Sequence, residues 1–203
     1  MRMKNRIPEI AFLAGILTLN AASAQMVVQA SSAILQPQIG RDQTGFHTCG
    51  VRAIVTDSKP GLVDVHDFTL AIRADMPGGL IKAGKSSTSN ASLAKGTPNM
   101  KAVQPAPVRF WIATESEGKA LFPLQVIPAE TPGYILESVD LGQTLSEILA
   151  ISSGKRMQFA NRYKNEAVET VIAFAVEMPE AERQPLLSCL DGVIARLKTL
   201  SVE

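Results

Sequence analysis

The sequence predicts an α+β domain built on an antiparallel β-meander of about seven strands, with two helices packed on one face. Several short segments alternate apolar and polar residues and are separated by turn residues, which is typical of hairpins. Two later segments repeat apolar residues at three- and four-residue spacing, which is typical of helices that cover a sheet. A small β-sandwich closed by the C-terminal helix is the alternative architecture.

The first 24 residues have the three regions of a secretory signal peptide. Arg2, Lys4 and Arg6 form a basic segment, residues 10–19 form an apolar core, and Ala22-Ser23-Ala24 fits a cleavage site. Cleavage after residue 24 removes three basic residues and one acid, which changes the formal charge from +1 to −1. We therefore expect a periplasmic or secreted mature protein.

The near-neutral charge of the mature chain bears on its partners. It predicts no basic surface of the kind that nucleic acid or an anionic membrane attracts. No later apolar run reaches the roughly 20 residues that a membrane helix needs. We therefore predict no nucleic-acid partner and no stable membrane insertion, and expect the partner to be a protein or an envelope component.

The mature chain divides into a leader and one domain. Residues 25–44 carry Gln, Ser, Pro and Gly, and we expect them to form a flexible leader. Residues 45–203 suffice for a single α+β domain with one hydrophobic core. Its first hairpin is predicted at 46–56 and 63–74, on either side of the turn sequence Ser58-Lys59-Pro60-Gly61.

The register of this hairpin follows from its apolar face. Pairing Thr56 with Val63 collects the apolar side chains, including Cys49, on one side. The same register places Arg52 directly opposite Asp67, which is a favourable cross-strand pair. Cys49 is therefore expected to face the core.

A long polar segment follows this hairpin. Residues 84–107 contain three prolines and lack apolar periodicity. We expect a mobile loop, in which 89–94 can form one helical turn, and this loop is the expected binding segment.

The chain then returns to alternating patterns. Strands are predicted at 108–112, 120–126 and 134–139. Pro123 makes the second of these an edge strand or a bulge. Asp140 is a good N-cap for a helix that ends near Gly154. A second hairpin over 157–163 and 168–177 places Phe159 opposite Ile172.

The final helix carries one of the two cysteines. It becomes regular from about Leu186, because Pro185 interrupts its start, and its apolar residues then recur at helical spacing. Cys189 lies within this apolar stripe. Because an even pair of cysteines in an exported protein usually forms a disulfide, we predict a bond between Cys49 and Cys189.

One stretch matches the pattern of a phosphate-binding loop. The Walker A spacing, whose amides and lysine bind phosphates, is satisfied by Gly79, Gly84, Lys85 and Ser86. That motif joins a buried parallel strand to a helix, whereas Pro77 precedes this stretch and a poor helix start follows it. We interpret the match as coincidental, so no nucleotide and no other cofactor is predicted.

The two histidines are weak candidates for a metal site. Asp64 and His66 share a face of one strand, and His47 lies on the partner strand. The predicted register keeps the histidines about six positions apart, whereas zinc needs three or four convergent ligands. We therefore assign no metal and no catalytic residue. Trp111 and Tyr134 could line a pocket, although packing is their ordinary role.

Two functions of different classes are compatible with these patterns. We predict a non-catalytic binding module, and the alternative is a small hydrolase or metal-dependent enzyme whose site assembles only in three dimensions. A concave pocket with convergent His or acid groups would favour the enzyme. A flat exposed apolar patch would favour the binding module.

Overall fold

The computed structural model describes residues 24–96, 98–115, 120–164, 166 and 168–200. The described strands are β1 (Ala24–Gln29), β2 (Ser32–Asp42), β3 (Gly45–Lys59), β4 (Leu62–Arg73), β5 (Gly79–Ser89), β6 (Lys101–Ala102), β7 (Arg109–Thr114), β8 (Gln125–Pro128), β9 (Tyr134–Val139), β10 (Met157–Arg162) and β11 (Val168–Phe174). The described helices are α1 (Asn90–Ala94), α2 (Leu141–Ser152) and α3 (Glu180–Leu200). The predicted signal peptide lies outside the described residues, apart from Ala24.

The strands form two sheets that share one core. The larger sheet has the order β2-β3-β4-β5-β9-β8, with β6 also paired to β5, and the smaller has the order β1-β11-β10-β7. Phe68 of the larger sheet packs against Phe110 and Phe159 of the smaller, with ring centroids 5.1 Å apart in each pair. The α+β class is confirmed. The strands divide between two sheets, whereas the sequence predicted a single meander, and the core between the sheets resembles that of the alternative sandwich.

Both long helices pack on the core face of the larger sheet, as predicted. In α3, Leu186, Cys189 and Val193 are fully buried in the shared core. In α2, the Thr144 side chain lies against Gly79 of β5. The opposite face of the larger sheet carries a mixture of polar and apolar side chains, among them Arg52, Lys82 and Leu136. None of the described helices combines the length and hydropathy that a membrane crossing needs.

The helix boundaries agree with the sequence at α2 and differ at α3. Asp140 caps α2, where its Oδ1 accepts a hydrogen bond of 2.8 Å from the backbone N–H of Gln143. α3 begins at Glu180 and contains Pro185, so the prediction of a regular helix only from Leu186 is wrong. Glu180 contributes to this first turn, where its carboxylate accepts hydrogen bonds from Arg183.

The first hairpin is confirmed, but its register differs by two residues. Thr56 pairs with Val65 rather than Val63, because the turn consists of Pro60 and Gly61 alone. Gly61 has φ +79°, the left-handed conformation that the second turn position requires after proline. A shift of two preserves the faces of both strands, so Cys49 still faces the core as predicted. The register of the second hairpin, with Phe159 opposite Ile172, is confirmed.

Two segments expected to lack regular structure contain strands. In the predicted leader, β1 pairs in parallel with β11 and β2 pairs with β3. Both are edge strands, whose stability comes from backbone pairing rather than an alternating buried face, and Pro37 of β2 is compatible with an edge. In the predicted 84–107 loop, β5 continues to Ser89 and α1 supplies the expected helical turn. The mobility of that segment stays a prediction.

Candidate functional site

The exposed face of the larger sheet carries a concave groove of about 580 Å³, here called the cationic groove. The strand register sets one row of its side chains across four neighbouring strands, namely Arg52, Thr69, Lys82 and Leu136. Further along β4, Ala71 and Arg73 extend the lining. A ligand in this groove would therefore meet three cationic side chains.

Strand geometry sets the spacing of these cations. Arg52 and Lys82 lie on strands that flank β4, so their backbones are about 10 Å apart. Arg73 lies four residues beyond Thr69 on β4, which is about 13 Å along the strand. The sheet therefore holds the three backbones in a fixed triangle.

The side chain of Arg52 is oriented by Asp67. Its Nε donates to Oδ1 at 2.9 Å and its Nη2 donates to Oδ2 at 2.7 Å. The predicted pair is thus present, but as a diagonal contact, because Arg52 directly opposes Thr69. This hydrogen bond with Asp67 raises the pKa of Arg52. Within the part of the chain that the structure describes, Nη1 of this guanidinium has no hydrogen-bond partner and faces the groove.

Tyr134 forms the wall of the groove beside this ion pair. Its hydroxyl donates to Asp67 Oδ2 at 3.2 Å. Burial, and next the charge of Asp67, raises the pKa of Tyr134 to about 12, so the hydroxyl stays protonated. Its ring packs on Gly84, where a Cβ atom would lie 2.6 Å from the ring carbon Cγ. A glycine is therefore required beneath this wall, and the suggestion that Tyr134 lines a pocket agrees with its position.

The other two cations, Arg73 and Lys82, differ in whether a carboxylate lies beside the charged group. Arg73 donates from Nε and Nη2 to Asp75, at 2.9 and 2.6 Å. Lys82 donates to the hydroxyl of Thr131 at 2.8 Å and lies 5.5 Å from the ring centroid of Tyr134. No carboxylate lies within 4 Å of the Lys82 ammonium among the described residues. Its charge is therefore available to an acidic ligand.

A second candidate site lies between the sheets, and we call it the polar cavity. It has a volume of about 60 Å³, and its lining includes Asp57, His66 and Lys85 from the larger sheet and Asn161 and Tyr163 from the smaller sheet's side. Of the residues singled out from the sequence, the structure brings His66 and Lys85 to this cavity.

Asp64 anchors the charges beside the polar cavity. It accepts hydrogen bonds from Lys59 at 2.8 Å and from Ser87 at 2.5 Å, and forms an ion pair with Lys85 at 3.8 Å. Burial opposes ionisation of Asp64, but these donors and the charge of Lys85 hold its pKa below the usual value. His66 is 6% exposed, and its Nδ1 lies 3.1 Å from Asn161 Nδ2.

The third weak metal candidate is at the other end of the hairpin. His47 contacts Thr48 at 3.0 Å and Asp75 at 3.5 Å. It lies eight residues along β3 from the position opposite His66, so the two histidines do not converge. The described residues contain no group of three or more His, Cys, Asp or Glu side chains that could hold a metal.

The Walker-like stretch is an extended strand throughout. Gly79 to Ser86 all belong to β5, which pairs antiparallel with β4 and β9. A phosphate-binding loop would instead lead into a helix. The glycine at 79 has a packing role, because a Cβ there would overlap the Thr144 side chain. The absence of nucleotide binding stays a prediction.

The predicted disulfide is present. Cys49 and Cys189 are bonded, with Cα atoms 5.7 Å apart, and both are fully buried. The bond joins β3 to α3 across 140 residues of sequence. It is compatible with an oxidising compartment outside the cytoplasm.

Comparison of the chain with family models, curated proteins and solved structures finds no significant match. The functional argument therefore rests on the two sites themselves. Sequence reasoning missed the cationic groove, because its residues occupy outward strand positions where polar side chains are ordinary. Two signals were available in the sequence, namely the predicted pairing of Arg52 with Asp67 and the suggestion that Tyr134 lines a pocket.

Proposed function

We propose that this protein is an exported, non-catalytic binding module that holds an acidic ligand in the cationic groove. The arrangement of Arg52, Lys82 and Arg73 carries the proposal, because their spacing suits a ligand with two or more carboxylates or phosphates about 10 Å apart. The signal-peptide pattern and the disulfide support a periplasmic or secreted location. The ligand is then part of a partner protein or an envelope component.

Pre-ordering of the groove favours binding. Asp67 and Asp75 hold the two arginines in place, so less side-chain entropy is lost when a ligand binds. Each arginine still presents an edge to the ligand, and Lys82 adds a charge without a carboxylate partner among the described residues. Affinity should fall as salt is added, because exposed charges are screened over about 8 Å at physiological ionic strength.

A titration with a defined acidic probe tests this proposal. The exported protein is titrated with hexaglutamate peptide by calorimetry at low salt, and Lys82→Gln should weaken binding about fivefold. Lys101→Gln is the matched control, because it removes the same charge from an exposed position on β6 outside the groove. The proposal fails if hexaglutamate does not bind, or if both substitutions weaken binding equally.

A further inference from the structure

Four buried polar atoms on the lining of the polar cavity lack a hydrogen-bond partner among the described residues. They are His66 Nε2, Tyr163 Oη, Asn161 Oδ1 and Asp57 Oδ2. Asp57 Oδ2 lies 3.1 Å from the Lys59 ammonium and forms an ion pair with it, which leaves this oxygen a further lone pair for the cavity. These four residues are at least nine-tenths buried. A buried polar atom left unpaired costs about 1–3 kcal/mol, so the three atoms without any polar partner on this one cavity indicate a polar occupant.

The tautomer of His66 determines which of its ring nitrogens can donate a hydrogen bond into the cavity. The Asn161 amide nitrogen donates to His66 Nδ1, as its amide is oriented here, so the neutral ring carries its proton on Nε2. Burial, and next the charge of Lys85, lowers the pKa of His66 to about 4, so the ring is neutral at pH 7. His66 and Tyr163 therefore offer two donors, and Asn161 and Asp57 offer two acceptors.

The charges around the cavity favour a neutral occupant. The cations Lys59 and Lys85 are balanced by the carboxylates of Asp57 and Asp64. Glu166 also belongs to the lining, but it is exposed, so solvent screens its charge. An anion or a cation would disturb this balance in a poorly hydrated space. The volume of about 60 Å³ equals about twice the share of one water molecule in the liquid.

We propose that the polar cavity binds one primary carboxamide group. A carboxamide has two lone pairs on oxygen and two N–H bonds on nitrogen, which matches the two donors and two acceptors. Its oxygen accepts from His66 Nε2 and Tyr163 Oη, and its nitrogen donates to Asn161 Oδ1 and Asp57 Oδ2. This site is separate from the cationic groove, so the proposal does not depend on the function proposed above.

Three small molecules of nearly equal size test whether the polar cavity selects a carboxamide. Acetamide, acetate and acetone are titrated into the exported protein at pH 7, and the imidazole Cε1–H resonance of His66 is followed by NMR. Acetamide should give a saturable shift with a Kd of about 1–10 mM, as suits a ligand of four heavy atoms. Acetate and acetone should give none, because neither can donate to Asn161 and Asp57. His47, the only other histidine, should not respond and serves as the internal control.

The two tyrosines provide a matched pair of variants. Tyr163→Phe removes one donor to the amide oxygen and should weaken acetamide binding about fivefold. Tyr134→Phe removes the same hydroxyl from the opposite face and should leave acetamide binding unchanged. If Tyr163→Phe does not fold, the three-ligand comparison on the unaltered protein still decides the matter.

The source of the carboxamide is settled by a dipeptide pair. Glycylglutamine binding at least as tightly as acetamide, with no binding of glycylglutamate, would assign the site to a glutamine side chain of a partner. Binding of acetamide alone would assign a free amide. No saturable shift with acetamide, or equal shifts with acetone or acetate, would overturn the proposal and leave ordered water as the occupant.

Discussion

Glu137 of the larger sheet accepts a hydrogen bond from the backbone N–H of Phe110 in the smaller sheet, with 3.0 Å between Oε1 and N. Glu137 is fully buried, and burial is the main reason that its pKa is raised to about 7. The hydrogen bond from Phe110 acts in the opposite direction and does not offset the loss of hydration. The carboxyl group therefore joins the two sheets while favouring its neutral form.

The raised pKa of Glu137 predicts that its charge destabilises the fold at high pH. The unfolded chain loses this proton near pH 4.5 and the folded chain near pH 7. The contribution of Glu137 to the free energy of unfolding therefore falls as the pH rises between these two values. Glu137→Gln should therefore raise the free energy of unfolding by up to about 3 kcal/mol at pH 8 and have little effect at pH 4. Urea denaturation at both values measures this. The exposed Glu130→Gln is the control, and equal effects of both substitutions would contradict the assignment.

His66 predicts the opposite pH dependence. Its folded pKa of about 4 lies below the unfolded value of 6.5, so its stabilising effect is complete above pH 6.5 and is lost as pH falls towards 4. In the Glu137→Gln background, stability should fall by up to about 3 kcal/mol over this range. Adding His66→Gln should remove most of that fall, whereas adding His47→Gln should not. Identical pH profiles for the two histidine variants would contradict a buried neutral His66.

The disulfide predicts a large loss of stability on reduction. The chain-entropy model gives about 5 kcal/mol for a loop of this length, before any effect on the native state. Cys49→Ala with Cys189→Ala should lower the free energy of unfolding by about this amount. Reductant should shift the urea midpoint of the parent to that of the double variant and leave the double variant unchanged. A parent protein unaffected by complete reduction would refute the expected contribution.

Two adjacent glycines predict contrasting effects of alanine. Gly79→Ala places a Cβ into the Thr144 side chain of α2, and should cost about 1–3 kcal/mol because helix and strand must separate. Gly78→Ala meets its nearest atom at 3.4 Å and should be nearly neutral. Thermal denaturation of the two variants compares them. If Gly79→Ala were as stable as Gly78→Ala, close helix packing would not explain the glycine at 79.

The success of sequence reasoning depended on burial. Strands with one buried face, such as β9, were found because alternation of apolar and polar residues directly indicates a buried side. The register around Pro60 was wrong by two residues because a shift of two leaves every face unchanged, and only the turn geometry decides it. β1 was not predicted because its partner β11 is distant in the sequence. β2 pairs with the adjacent β3, but it is an edge strand with only one fully buried side chain and so shows little alternation.

The candidate sites were less predictable than the fold. His66 and Asn161 are 95 residues apart and lie on different sheets, so their contact arises only from the packing of those sheets. Lys85 and Lys82 look equivalent in the sequence, but strand alternation sends one to the polar cavity and the other to the cationic groove. Assigning each lysine to its site requires both the strand register and the arrangement of the two sheets.

The parallel pairing of β1 with β11 has a consequence for how the chain matures. β1, which begins at Ala24, pairs with a strand more than 140 residues later in the sequence, when most of the chain has been made. Closing so long a loop is entropically unfavourable and slows folding. The smaller sheet cannot be completed until β11 has been made, because β1 has no other partner strand in that sheet. If the chain is exported as proposed, the smaller sheet would be completed only after β11 has crossed the membrane.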